Sequence, residues 1–163
     1  SSAASDVYKR QGMRNVMLDT HQYLIAMEDP LFSGPARRLY LRSRRLPWLY
    51  RMLVGASGIA IRSAARRIPV LVGEWCVENQ WALHSQNRSA AYRQVSRLQR
   101  AAWDVSAGQI YWSYQLARSA KPGSGEGKPP RDPRNGGNLE AWDLTRVWRH
   151  GWIRADTSHD DVP

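Results

Sequence analysis

Three short apolar runs, separated by segments with helical spacing, constrain the fold of this chain more than any other feature. The runs are NVMLD at residues 15–19, IPVLVG at 68–73 and GQIYWS at 108–113. Their apolar residues are continuous, whereas a strand with one solvated face would alternate, and continuous apolar strands are typical of a parallel sheet covered by helices. The pattern therefore predicts an α/β fold with a parallel sheet.

Helical patterns occupy the intervals between and after these runs. Residues 34–67 are expected to form a helix that Pro47 interrupts. Residues 92–105 repeat apolar side chains at three- and four-residue steps, and residues 139–148 do the same. The order is strand then helix, three times over. In such sheets the functional groups lie at the carboxyl ends of the strands.

Composition narrows the class of protein further. The chain has 163 residues, of which 42% are hydrophobic, so it can bury the core of one ordinary domain. No apolar run of eighteen residues is present, and no membrane span is expected. The single cysteine, Cys76, excludes an internal disulfide, and the four histidines lack the spacing of metal ligands. Neither a metal nor a cofactor is expected.

Positive charge is concentrated in one part of the chain. The formal net charge is +10, and nine arginines but no Asp or Glu occur between Asp29 and Glu74. One interpretation is a solvated helix face; the other is a surface for a phosphate-rich partner or an anionic membrane. A basic module that binds nucleic acid or an anionic membrane through RRLYLRSRRLPWLYR is therefore the alternative function. No nucleic-acid-binding motif is recognisable, so nucleic acid is not the expected partner.

Polar and aromatic residues converge at the ends of the three predicted strands. DTHQY follows the first, and in extended chain Asp19, His21 and Tyr23 point to the same side. Glu74 and Trp112 mark the ends of the second and third. A carboxylate beside a tyrosine hydroxyl, a histidine and an indole suits sugar hydrolysis, because the carboxylate attacks an oxocarbenium-like carbon while the flat ring lies against the sugar.

The segments VMLDTHQY, VLVGEW and IYWSYQL…AWDLTRVWRHGW, in this order, resemble the C-terminal part of glycoside hydrolase family 5, particularly its exo-β-1,3-glucanase-like members. The resemblance implies a (β/α)8 TIM barrel that hydrolyses β-glucan or β-glucoside with retention, as a glucan 1,3-β-glucosidase does. It makes the three runs strands six to eight, about three β/α units. It also implies a secreted protein whose partner is a β-glucan oligosaccharide or polysaccharide.

The same resemblance implies the roles of individual residues. Glu74 corresponds to the nucleophile at the end of strand seven. Tyr23 corresponds to the tyrosine that hydrogen-bonds this nucleophile, and His21 to a histidine of the sugar site. Trp112 corresponds to the platform beneath the sugar ring.

Three further residues are predicted to bind substrate from their position close to the nucleophile. Trp75 directly follows Glu74, and Glu78 and Asn79 stand on the chain beyond it. They are candidates for a sugar subsite. Glu78 and Asn79 belong to CVENQWALHSQN, which does not match the substrate loops of the resembling enzymes.

The domain organisation follows from the polar, non-periodic residues at the N-terminus and from the family resemblance. Residues 1–12 are expected to be a non-native or ragged leader, residues 13–156 a partial barrel domain and residues 157–163 a polar tail.

The acid/base glutamate of the family lies in an Asn-Glu pair at the end of strand four, which this chain lacks, although retaining hydrolysis needs two carboxyl groups about 5 Å apart. We therefore expect this chain alone to be inactive. A barrel that binds sugar without catalysis is a further alternative.

Overall fold

The computed structural model describes residues 15–32, 46–116 and 138–154. The predicted leader and tail lie outside these ranges, as does the first part of the helix expected at 34–67. The described elements are, in chain order, β1 (Leu18–Gln22), α1 (Leu24–Phe32), α2 (Leu46–Ala65), β2 (Val70–Trp75), α3 (Gln80–His84), α4 (Arg88–Ala102), β3 (Gly108–Tyr111), a 3-10 helix (Leu139–Trp142) and α5 (Leu144–Arg149).

The three strands form one parallel sheet in the order β1-β2-β3. The predicted mixed α/β architecture with a parallel sheet is thereby confirmed. The expectation of continuous burial holds for β2 but is wrong for β1, whose residues alternate between half-buried and exposed, and for β3, in which Ile110 is exposed. The reason is that Asp19 and His21 lie on a sheet face that carries exposed side chains, whereas the opposite face is packed against helices.

The core lies on the helix-covered face of the sheet. Val70, Val72 and Trp75 of β2 pack there with Ile61 of α2 and with Trp103, which directly follows α4. The helices α2 and α4 approach each other closely at Gly58, where an added Cβ would stand 2.8 Å from the Ala102 carbonyl oxygen. A glycine is needed at that crossing because backbone occupies the space of a side chain. The two helices thus form a single layer behind β2.

A buried polar cluster holds the chain beyond β2. The Glu78 carboxylate is fully buried and accepts hydrogen bonds from the Asn138 backbone N–H (3.2 Å) and from the Tyr92 hydroxyl (3.2 Å). Burial raises the pKa of Glu78 to about 8, and the nearby Glu28 carboxylate adds to the rise, whereas Asn138, Tyr92 and Arg88 oppose it. Glu78 is therefore held in its neutral form near neutral pH.

This raised pKa predicts that the protein loses stability as the pH rises. Between the ordinary pKa of 4.5 and the folded pKa of about 8, the unfolded chain releases a proton that folded Glu78 retains. The folded state binds more protons than the unfolded state, so the free energy of unfolding falls across this pH interval by a few kcal/mol in all. Above the interval it no longer changes with the titration of Glu78. Glu78→Gln mimics the neutral acid and should flatten the fall in denaturation midpoint between pH 5 and pH 8.

The matched control is Glu140→Gln, which removes a partly buried carboxylate of the 3-10 helix and leaves Glu78 in place. This variant should retain the decline in stability with pH. An unchanged slope in Glu78→Gln would show that other groups cause the pH dependence.

Candidate active site

Glu74 lies within β2, one residue before its end, and the pairing of the strands determines where its side chain points. Along β1 and β2 the register pairs Asp19 with Leu71 and Thr20 with Val72, and then pairs His21 with Glu74. Gly73 is therefore an extra residue, and the same irregularity occurs against β3. Such a bulge re-aims the side chains that follow it.

Strict alternation along β2 would direct Glu74 to the face of Val72, which packs against the helices. The bulge instead directs it to the face of Asp19 and His21. The carboxylate is 27% exposed there, enough to meet a solute while it remains held by protein groups. The backbone irregularity at Gly73 is thus what makes Glu74 accessible.

Two side chains from β1 and its end hold one oxygen of Glu74. The Tyr23 hydroxyl donates a 2.7 Å hydrogen bond to Glu74 Oε2, and His21 Nδ1 lies 3.3 Å from the same oxygen. Burial raises the pKa of Tyr23 above its ordinary value, and the hydrogen bond with the Glu74 carboxylate adds to this shift. Tyr23 therefore stays protonated and acts as the hydrogen-bond donor to the Glu74 carboxylate.

The second oxygen, Oε1, accepts no hydrogen bond from any other residue that the structure describes. One oxygen of the carboxylate is thus fixed by protein groups, and the other is available to an incoming group. This asymmetry is what a carboxylate needs to form a bond to a ligand without losing its orientation.

Asp19 extends the cluster through His21. His21 Nε2 lies 3.4 Å from Asp19 Oδ2, so the imidazole contacts one carboxylate through each ring nitrogen. The two carboxylates therefore lie on opposite sides of the ring and do not converge on a common point. Within the described parts of the chain, no group of three or more His, Cys, Asp or Glu side chains is placed to hold a metal ion.

Gly73 also lies directly against the Asp19 side chain. A Cβ built at position 73 would lie 2.0 Å from Asp19 Oδ1, far inside van der Waals contact. Gly73→Ala should therefore push the Asp19 carboxylate away from His21, and because this carboxylate is more than half exposed and can move, the loss of stability should be about 1 kcal/mol or less. Urea denaturation measures the stability, and a crystal structure of the variant reports the Asp19–His21 separation.

The control for this substitution is Gly55→Ala in α2, where a Cβ meets nothing within 4 Å. Gly55 lies in a helix interior, so alanine there should stabilise the protein by about 0.5–1 kcal/mol. Equal effects of the two substitutions would contradict the role assigned to Gly73.

Trp112 lies directly after β3, and its side chain is 50% exposed. Its backbone N–H donates to the Trp75 carbonyl oxygen (2.8 Å), which ties the end of β3 to the end of β2. The next residue, Ser113, follows a cis peptide bond and donates its N–H to the Trp142 carbonyl oxygen. The structure thus presents an exposed indole beside the strand that carries Glu74.

Trp142 contributes to the site in a way that the sequence pattern does not indicate. Its ring stacks on Tyr23, with centroids 5.3 Å apart and planes at 29°. The indole thereby supports the phenol that donates to Glu74. Trp142 belongs to an apolar pattern of helical spacing, and nothing in that pattern distinguishes it from a residue that only packs in the core.

The other predicted substrate-binding residues do not reach this surface. Trp75 is buried between Trp103 and Tyr111, with both rings meeting it edge to face. Glu78 is buried in the polar cluster behind the sheet, and Asn79 is the N-cap of α3, accepting a hydrogen bond from the Ala82 N–H. All three are buried, Trp75 on the face of β2 that packs against the helices and Glu78 and Asn79 in the segment between β2 and α3, so none of them lies at the exposed surface beside Glu74.

Comparison with known proteins does not assign this site to a family. No protein-family model matches the chain, and no curated protein matches it at a significant level. The functional assignment therefore depends on the residues of the site.

Proposed function

We propose that this chain is the nucleophile-bearing part of a retaining glycoside hydrolase that acts on a β-linked glucan or glucoside. The observation that carries the proposal is the 2.7 Å hydrogen bond from the Tyr23 hydroxyl to Glu74 Oε2, made between residues 51 positions apart in the chain. It holds a partly exposed carboxylate in a fixed orientation, with its second oxygen open to a ligand.

The same proposal accounts for the sheet. Three parallel strands in sequential order, with helices on one face and exposed polar and aromatic side chains on the other, are what strands six to eight of a (β/α)8 barrel require. The exposed side chains Met17, Asp19, His21, Ile110 and Trp112 lie on the face that becomes the barrel interior and its rim.

In the first step, Glu74 Oε1 forms a bond to the anomeric carbon while the bond from that carbon to the leaving oxygen breaks. Tyr23 and His21 keep Oε2 in place and stabilise the remaining negative charge until the ester forms. The exposed Trp112 ring lies against the C–H face of the sugar. In the second step, water attacks the same carbon and releases Glu74, which gives retention of configuration.

The leaving oxygen must receive a proton. Neither Tyr23 nor His21 is available to donate it, because both contact the Glu74 carboxylate. The proposal therefore requires a second carboxyl group about 5 Å from Glu74, supplied by polypeptide outside the described residues. This requirement separates the two halves of the reaction: attack depends on Glu74, whereas protonation of a poor leaving group depends on the second carboxyl.

The test is an aryl β-glucoside whose leaving group needs no proton. With 2,4-dinitrophenyl β-glucoside, Glu74 should become glucosylated and should accumulate as an ester, because activation of water also needs the second carboxyl. Absence of an ester on Glu74, together with measurable binding of glucan, would instead favour a barrel that binds sugar without catalysis.

A further inference from the structure

Helix α2 is apolar on two opposite sides, and only one of them is buried. Its inner side packs into the core through Leu46, Tyr50, Val54 and Ile61. Its outer side carries Trp48, Met52 and Ile59, which are 61%, 53% and 72% exposed. We refer to these last three residues as the outer stripe.

The outer stripe is a continuous row along the helix. At about 3.6 residues per turn, positions 48, 52 and 59 fall within about 40° of one another, on the side opposite the buried residues. The row is about 17 Å long. Gly55 lies within it and leaves open space above the backbone. A helix that is apolar on both sides is normally covered on both sides, and an exposed apolar row of this length marks a contact surface.

Cationic groups lie along one side of the outer stripe and follow it in the chain. Arg51 and Arg62 border it on α2, and Arg66 and Arg67 follow in the turn after the helix; all four are exposed. Arg62 lies 3.8 Å from Asp104, whereas the other three form no ion pair with another described residue. No Asp or Glu occurs at positions 30–73 of the sequence. The partner of this surface must therefore be both anionic and able to accept apolar side chains.

We propose that the outer stripe docks this protein on an anionic lipid bilayer, with α2 lying in the plane of the interface. Trp48, Met52 and Ile59 enter the boundary between headgroups and acyl chains, and the arginines contact the lipid phosphates. A tryptophan at one end of the row fits this site, because indoles partition to membrane interfaces. Among the described residues, no helix has the length and apolar character to cross a membrane, and docking needs none.

Two other occupants fit the same surface less well. Duplex nucleic acid attracts arginines, but its phosphate surface has no place for three large apolar side chains in the centre of the contact. A second copy of the chain would bring Arg51, Arg66 and Arg67 close to their own counterparts without a compensating acid from the stretch 30–73. A bilayer of anionic lipid satisfies both the charge and the apolar row.

The test is flotation of the protein with vesicles of phosphatidylcholine alone and with vesicles that contain equal parts of phosphatidylcholine and phosphatidylglycerol. We expect binding to the anionic vesicles, weakened by high salt, and little binding to phosphatidylcholine alone. The triple variant Trp48→Gln, Met52→Gln, Ile59→Gln should bind at least about tenfold more weakly. The variant Arg51→Gln, Arg66→Gln, Arg67→Gln should lose the preference for anionic vesicles.

The matched control is Trp148→Gln, which removes an exposed tryptophan from α5 and should bind as the parent does. Circular dichroism establishes that the variants, whose changed residues are exposed, keep their helix content. Equal vesicle binding by the parent and the outer-stripe variant would overturn the proposal. Failure of the parent to bind anionic vesicles while it binds duplex DNA would also overturn it and assign the arginines to nucleic acid.

Discussion

A glucosyl ester on Glu74 is the expected product when the protein meets 2,4-dinitrophenyl β-glucoside. The reaction breaks the bond from the anomeric carbon to the aryl oxygen, releases dinitrophenolate and forms a bond from that carbon to Glu74 Oε1. It needs a carboxylate held in a fixed orientation, which the 2.7 Å hydrogen bond from Tyr23 provides. We expect a burst of one equivalent of dinitrophenolate per chain without steady turnover, and a glucosyl mass increase that peptide mapping places on Glu74.

Substitutions separate the roles within the cluster. Glu74→Gln should remove the burst, with a loss on the order of 10⁴-fold or more, because the attacking group is gone. Tyr23→Phe keeps the nucleophile but removes its charged hydrogen bond, so the burst should slow by about 10- to 100-fold while the ester still forms on Glu74. Unactivated glucan should not be cleaved, since none of the described residues is placed to give the leaving oxygen a proton.

Glu140→Gln is the matched control for this experiment. Glu140 also has a histidine partner, with His150 Nε2 3.2 Å from its carboxylate, but it has no tyrosine donor in the structure. The burst should be unaffected in this variant. An ester on Asp19 in place of Glu74, or a burst that survives Glu74→Gln, would overturn the assignment of the nucleophile.

Trp103→Ala should cause the largest loss of stability among substitutions of single core residues. Trp103 is fully buried, meets the Trp75 ring edge to face at 5.7 Å and donates its indole N–H to the Ser57 hydroxyl (2.8 Å). Truncation leaves a large cavity between α2 and β2, at a cost of about 3–5 kcal/mol. A domain is typically stable by only about 5–15 kcal/mol, so a large unfolded fraction is expected.

Urea denaturation followed by circular dichroism measures this loss. Trp148→Ala, in which the side chain is about half exposed, is the control and should change the free energy of unfolding by about 0.5 kcal/mol or less. If Trp103→Ala cost no more than Trp148→Ala, Trp103 would not be the centre of the packing behind β2.

The pattern of apolar runs predicts the architecture well and the individual strands and helices less well. It predicts three parallel strands and the positions of β2 and β3, whereas β1 begins only at Leu18 and continues through Asp19 and His21, beyond the apolar run at 15–19. It does not predict α1 or α3, since both are short helices that depend on distant partners. Glu28 of α1, for example, accepts hydrogen bonds from the Tyr50 hydroxyl and from the Gln80 N–H, residues 22 and 52 positions away.

Around Glu74, too, some features follow from the local sequence and others depend on contacts between distant residues. The spacing of Asp19 and His21 on one strand is local, and their shared face follows from the period of an extended chain. The stacking of Trp142 on Tyr23 joins residues from opposite ends of the described chain, and no local pattern encodes it. Glu78 and Asn79 stand close to Glu74 in sequence and yet turn into the interior.

By itself, the sequence determined that this chain forms parallel strands with helices between them, that Glu74 stands at the end of an apolar strand, and that the basic stretch lacks acids. These properties follow from the order of the residues and from the spacing of the apolar ones along the chain. Only the tertiary structure decided that Glu74 faces His21 and Tyr23, since this depends on the extra residue Gly73 in β2 and on the pairing of two strands. It also decided that Trp75 packs in the core while Trp112 and the outer stripe remain exposed, because burial depends on which surfaces other elements cover.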